Sequence, residues 1–75
     1  MAQTTNKNRS AGNHIIIGTK NGYVEYYNWH ADGMIVDKTQ ATGYHSGPTA
    51  KSVAEQLSKE IPGYTWTTEN DKPKK

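Results

Sequence analysis

The residues able to carry chemistry are few and scattered. His14, His30 and His45 stand 16 and 15 positions apart, and the chain has no cysteine. No pair of histidines has the i, i+4 spacing that turns two imidazoles to one face of a helix for zinc, and no thiolate can complete a site. No metal or other cofactor is expected. His45 is followed by Ser46. A serine nucleophile, however, needs a base held against it and an oxyanion hole, and neighbours in a loop do not face one another. Glu55 and Glu60 are five apart, so they diverge on a helix. Asp32 and Asp37 flank a turn, where aspartate serves the backbone. The stretch Gly43-Tyr44-His45-Ser46-Gly47 carries glycine ahead of a helix but lacks the lysine and the spacing of a phosphate loop. The expectation is a non-catalytic protein that works by binding.

The elements that would position a binding surface follow from local pattern. His14-Ile15-Ile16-Ile17 favours a strand, because branching at Cβ suits extended backbone. Asn21-Gly22 is a strong hairpin signal, since both central residues of a type I′ turn need positive φ. A second strand follows from Tyr23 to Trp29. Asp32-Gly33 marks another turn, with a third strand over Met34–Thr39. Residues 40–48 read as a loop. Pro48-Thr49 opens a helix with Ser46 or Thr49 as its cap, and Ala50, Val53, Ala54, Leu57 and Ile61 share one helical face. Pro62-Gly63 stops it, and Tyr64–Glu69 alternates as a fourth strand. The order β-β-β-α-β predicts an α+β fold: a small antiparallel sheet with one helix across one face.

Seventy-five residues bound the chain to one domain, placed at 14–69, with mobile, basic tails at 1–13 and 70–75. Lys7 and Arg9 give the first tail its charge, and Lys72, Lys74 and Lys75 outweigh Asp71 in the second. Between His14 and Glu69, six acids outnumber four lysines, so the core is mildly acidic although the whole chain is +2. Nucleic-acid binders place basic charge on the folded surface itself. There is no apolar run of membrane-span length and no leader-like segment, and with cysteine absent a cytoplasmic setting is expected.

A two-residue turn at Asn21-Gly22 pairs Ile17 with Tyr26 and Ile16 with Tyr27, which divides the sheet. One face collects Ile15, Ile17, Val24, Tyr26 and Ile35. The other collects Ile16, Tyr23, Tyr27, Trp29, Met34 and Val36, with Glu25, Lys20 and Lys38. Both are apolar, and one helix can cover only one. The small Ala-Val-Ala-Leu stripe is expected on the aliphatic face, leaving the aromatic face open. Tyr23, Tyr27, Trp29, Met34, Val36 and Lys38 then form the candidate partner site, with tail contacts from Lys7, Arg9, Lys72, Lys74 and Lys75. The partner expected is a larger protein. A homodimer burying the face is an alternative. So is single-stranded nucleic acid, stacked on the sheet aromatics and tracked by the basic tails.

The run Thr49–Thr68, T-A-K-S-V-A-E-Q-L-S-K-E-I-P-G-Y-T-W-T-T, resembles the helix–Pro–Gly–aromatic–strand portion of small phage-encoded proteins that inhibit or modulate bacterial RNA polymerase. The likeness spans about twenty residues and carries over no functional residue. It implies a phage- or plasmid-type accessory protein that regulates transcription by binding a host enzyme such as the polymerase.

Overall fold

The structure is a computed structural model that describes Arg9, residues 11–31 and residues 33–71. Four strands, β1 (His14–Lys20), β2 (Tyr23–Asn28), β3 (Gly33–Ile35) and β4 (Thr65–Asn70), form one antiparallel sheet in the order β3-β2-β1-β4. One helix, α1 (Gly47–Glu60), precedes β4. The first hairpin has the expected register, Ile17 opposite Tyr26 and Lys20 opposite Tyr23. Its turn has the positive φ that a type I′ turn requires, 53° at Asn21 and 84° at Gly22. Ser46 caps α1 by accepting from the Thr49 amide, and Pro48 sits in the first turn, where its missing N–H costs nothing. The Ile61 amide bonds the Leu57 carbonyl, and Gly63 turns the chain into β4 with φ 104°.

The third strand is shorter than expected. It ends at Ile35, and Lys38–Gln40 forms a 3₁₀ turn capped by Asp37, whose carboxylate accepts from the Thr39 amide. Tyr44 then exchanges backbone bonds with His14, taking up position beside β1 beyond the end of β2. This connection carries the chain from the edge at β3 to α1.

The helix covers the face opposite to the one expected. Its Ala50, Ala54 and Leu57 pack with Ile16 and Tyr27, and Met34, Tyr44, Val53, Ile61 and Trp66 close around them. Tyr27 is 9 % exposed, so it belongs to the core. Aromatic side chains bury more surface than valine or isoleucine, and a single helix gains more by covering them. Gly18 makes room on this face: a Cβ there would lie 2.9 Å from both Met34 Cε and Tyr64 Cδ2.

Arg9 also departs from expectation. It is not a free tail contact: its guanidinium donates to the carbonyls of Ala41 (2.8 Å) and Lys38 (2.8 Å) and pairs with Asp71. The ladder likewise continues past the expected boundary, with the Asp71 amide donating to the Asn13 carbonyl. Lys7, Lys72, Lys74 and Lys75, and the tail assignment for 1–8, 10 and 72–75, lie outside the described residues.

Candidate binding surface on the open sheet face

The six side chains expected to form one aromatic site do not come together. Tyr27 and Met34 lie beneath α1. Tyr23 is 73 % exposed at the tip of the first hairpin, whereas Trp29 is exposed just past the other end of β2. Six extended residues separate them by about 20 Å. Trp29 meets His30 edge-on, with ring centroids 5.1 Å apart. Val36 is exposed beyond the end of β3. Lys38 is on the other side of the sheet from the one expected. Its ammonium pairs with Glu69 (2.8 Å) and with Asp71 (3.6 Å). Glu69 stands opposite Ile15, on the face away from α1. The Glu69 hydrogen bond is the main reason the Lys38 pKa is raised.

That ion pair shows where the connection runs. The Lys38 turn crosses the end of the face that α1 leaves bare, where Asn28 donates from Nδ2 to the Gln40 carbonyl (2.6 Å). Asn28 Oδ1 accepts from the Ala31 amide, so a side chain only 7 % exposed ties the β2–β3 turn to the crossing segment. Ile15 and Ala41 are fully buried here, although neither belongs to the helix-covered core.

Beyond the crossing segment the face is open among the described residues. The register aligns Ile35, Tyr26, Ile17 and Thr67 in one row across all four strands. Val24, Thr19 and Thr65 form the next row. Val24 is 48 % exposed, and Ile17, Tyr26 and Ile35 are half-buried. The result is a flat aliphatic and threonine surface with a tyrosine at its centre. Alternation had already grouped these residues; what the sequence missed was that they, and not the aromatic set, are left without a helix.

A second feature lies on the opposite side. Lys51, Ala54, Glu55 and Ser58 of α1, with Trp66, Thr67 and Thr68 of β4, line a groove of about 400 Å³ along the free edge of the sheet. The Trp66 indole Nε1 is buried and has no hydrogen-bond partner among the described residues. Buried donors are nearly always satisfied, so this one marks a place short of an acceptor.

The aromatics of the helix face are arranged for structure. Tyr64 donates to Glu25 (2.5 Å), which is the leading cause of its raised pKa, and Lys20 lies over the Tyr64 ring. Burial pushes the Tyr44 phenol up to about 12, with Tyr27 adding to the shift. Among the described residues no three of His, Asp and Glu are grouped to hold a metal ion, and no helix is long and apolar enough to cross a membrane. Comparison of the chain with known protein families, with curated proteins and with solved structures finds no match to any of them.

Proposed function

We propose that this protein is a non-catalytic binding domain that docks on a larger protein through the open half of its sheet. The supporting observation is the row Ile35–Tyr26–Ile17 with Val24 beside it: an apolar, flat, rigidly backed surface that α1 and the crossing segment leave uncovered. Such patches on small domains mark interaction sites, and a central tyrosine offers both area and a polar end. In its most specific form the partner is a bacterial host enzyme such as RNA polymerase, the partner that the likeness over Thr49–Thr68 implies. Single-stranded nucleic acid fits this face less well. Its one aromatic ring is Tyr26, and Lys38 at its margin is already paired with Glu69 and Asp71.

The test is binding of the immobilised protein to purified bacterial RNA polymerase, with and without nuclease. The expected result is nuclease-resistant binding, weakened at least tenfold by Val24→Asp while the circular dichroism spectrum is unchanged. Binding indifferent to Val24→Asp would remove the open face from the reading. Absence of binding would remove the polymerase.

A further inference from the structure

We infer that two copies of this chain join through the free edge of β4 to make one continuous eight-stranded sheet. Among the described residues the β4 edge is unpaired, and it is long for so small a sheet. The strand Thr65–Asn70 holds no proline, lysine or glycine, and its pairing with β1 runs in unbroken register from Thr65 to Asn70, without a bulge. Edge strands of this kind are templates for pairing unless such devices blunt them. The opposite edge, β3, is only three residues long.

The phase of the ladder says which groups are on offer. The Asp71 amide donates to the Asn13 carbonyl, the residue directly across from it in the β1–β4 register. In an antiparallel pair, residues alternate between those that bond the neighbour and those that turn away from it. Thr65, Thr67, Glu69 and Asp71 therefore bond β1, and Trp66, Thr68 and Asn70 turn their N–H and C=O groups outward.

A closed pair of identical edges is related by a two-fold axis normal to the sheet. An axis at Thr68 sets Thr68 against Thr68 of the second copy and Trp66 against its Asn70, so every outward residue of β4 is used. An axis at Thr67 leaves Asn70 opposite Tyr64, outside the strand. An axis at Glu69 opposes two carboxylates. The Thr68 register also places like with suitable unlike: Thr67 faces the second copy's Glu69, and Thr–Thr pairs are favourable cross-strand neighbours.

Lys51 and Glu55, which line the groove over this edge, meet their counterparts in antiparallel sense, cation beside carboxylate. With the axis normal to the sheet, both helices lie on one side and both open faces on the other. The dimer then presents two copies of the proposed docking surface in one plane, which raises avidity for a partner that can engage both.

Sedimentation equilibrium of the full chain over a wide concentration range tests the pairing, together with two single substitutions. The expected mass is twice the 8.3 kDa of one chain. Thr68→Pro removes an outward amide that β1 does not use, so it should give a folded monomer. The chain lacks cysteine, so Thr68→Cys is the only thiol in its variant. Paired residues at this kind of site lie about 5.5 Å apart at Cα, within disulfide reach. Thr68→Cys should therefore oxidise to a covalent dimer at least tenfold faster than Thr67→Cys. A monomer at every concentration, a dimer that survives Thr68→Pro, or faster cross-linking at Thr67→Cys would each overturn the inference.

Discussion

Arg9 and Asp71, 62 positions apart in the chain, meet at 3.1 Å and tie the two ends of the described fold together. The Arg9 guanidinium also holds the Ala41 and Lys38 carbonyls, so it fixes the segment that crosses the sheet. Its side chain is 13 % exposed, which sets it apart from an ordinary surface ion pair. Charge-assisted bonds of this kind contribute more than neutral ones, and truncation strands the carbonyls they satisfy. Arg9→Ala should therefore cost about 2 kcal/mol. In a chain this short that lowers Tm by roughly 10 °C. Arg9→Lys should recover only part of the loss, because one ammonium cannot span three acceptors in a plane. Thermal melts by circular dichroism check both variants. A change within error for Arg9→Ala would show the pair to be peripheral.

Gly18 is the point where the helix-covered face is most crowded. Met34 Cε, Tyr64 Cδ2 and Trp66 Cζ3 all converge on the space a methyl would fill. The Met34 end can swing away, but Trp66 is packed against the core, and Tyr64 is held by its contact with the Trp66 ring and its bond to Glu25. Gly18→Ala should destabilise by about 1–2 kcal/mol through overpacking, despite a better intrinsic strand propensity. It should also change the emission of Trp66, which Trp29→Phe isolates from the second tryptophan. Chemical denaturation followed by fluorescence measures both effects, and a stabilised Gly18→Ala would contradict the packing.

Which face is the core can be tested by substitution on each side of the sheet. Leu57 is 4 % exposed against Ile16 and Tyr27, whereas Val24 is 48 % exposed on the other face. Leu57→Ala should cost about 2–4 kcal/mol. A domain of this size holds only about 3–5 kcal/mol in reserve, so the variant should keep little of its stability margin. Val24→Ser should stay within about 0.5–1 kcal/mol of the parent. Urea midpoints decide. A Val24→Ser loss as large as that of Leu57→Ala would mean that the open face is covered in solution.

Much of the fold was legible because local chemistry dictated it. Asn21-Gly22 sets the turn, the turn sets the register, and the register sorts every strand residue onto a face. Ser46, Pro48 and the Ala50–Leu57 stripe likewise define α1. The choice of face was not legible, because alternation gives Ile15–Ile17–Val24–Tyr26 and Ile16–Tyr27–Met34 equal claims. What decides it is non-local: β4 brings Trp66 beside Gly18, and the aromatic side then has more surface to bury. The crossing segment was hidden for the same reason. Nothing near Lys38 in sequence announces its pairing with Glu69 and Asp71.

Tyr44 makes the fold sensitive to alkali. Burial raises its phenol to about 12, above the ordinary value of 10.0. Below pH 10 the phenol is protonated in both folded and unfolded chains, and its contribution to stability is fully present. Above that, the unfolded chain gives up a proton that the folded chain retains, so stability falls as pH rises from 10.0 towards about 12. Lys38 acts in the same direction, since its raised pKa means that the ammonium bound to Glu69 is favoured by the fold and is lost at high pH. Urea midpoints should therefore drop between about pH 10 and about pH 12, and Tyr44→Phe should make the drop shallower. Absorbance at the phenolate band should show a late-ionising tyrosine in the parent that Tyr44→Phe removes. An unchanged alkaline profile in Tyr44→Phe would place the sensitive group elsewhere.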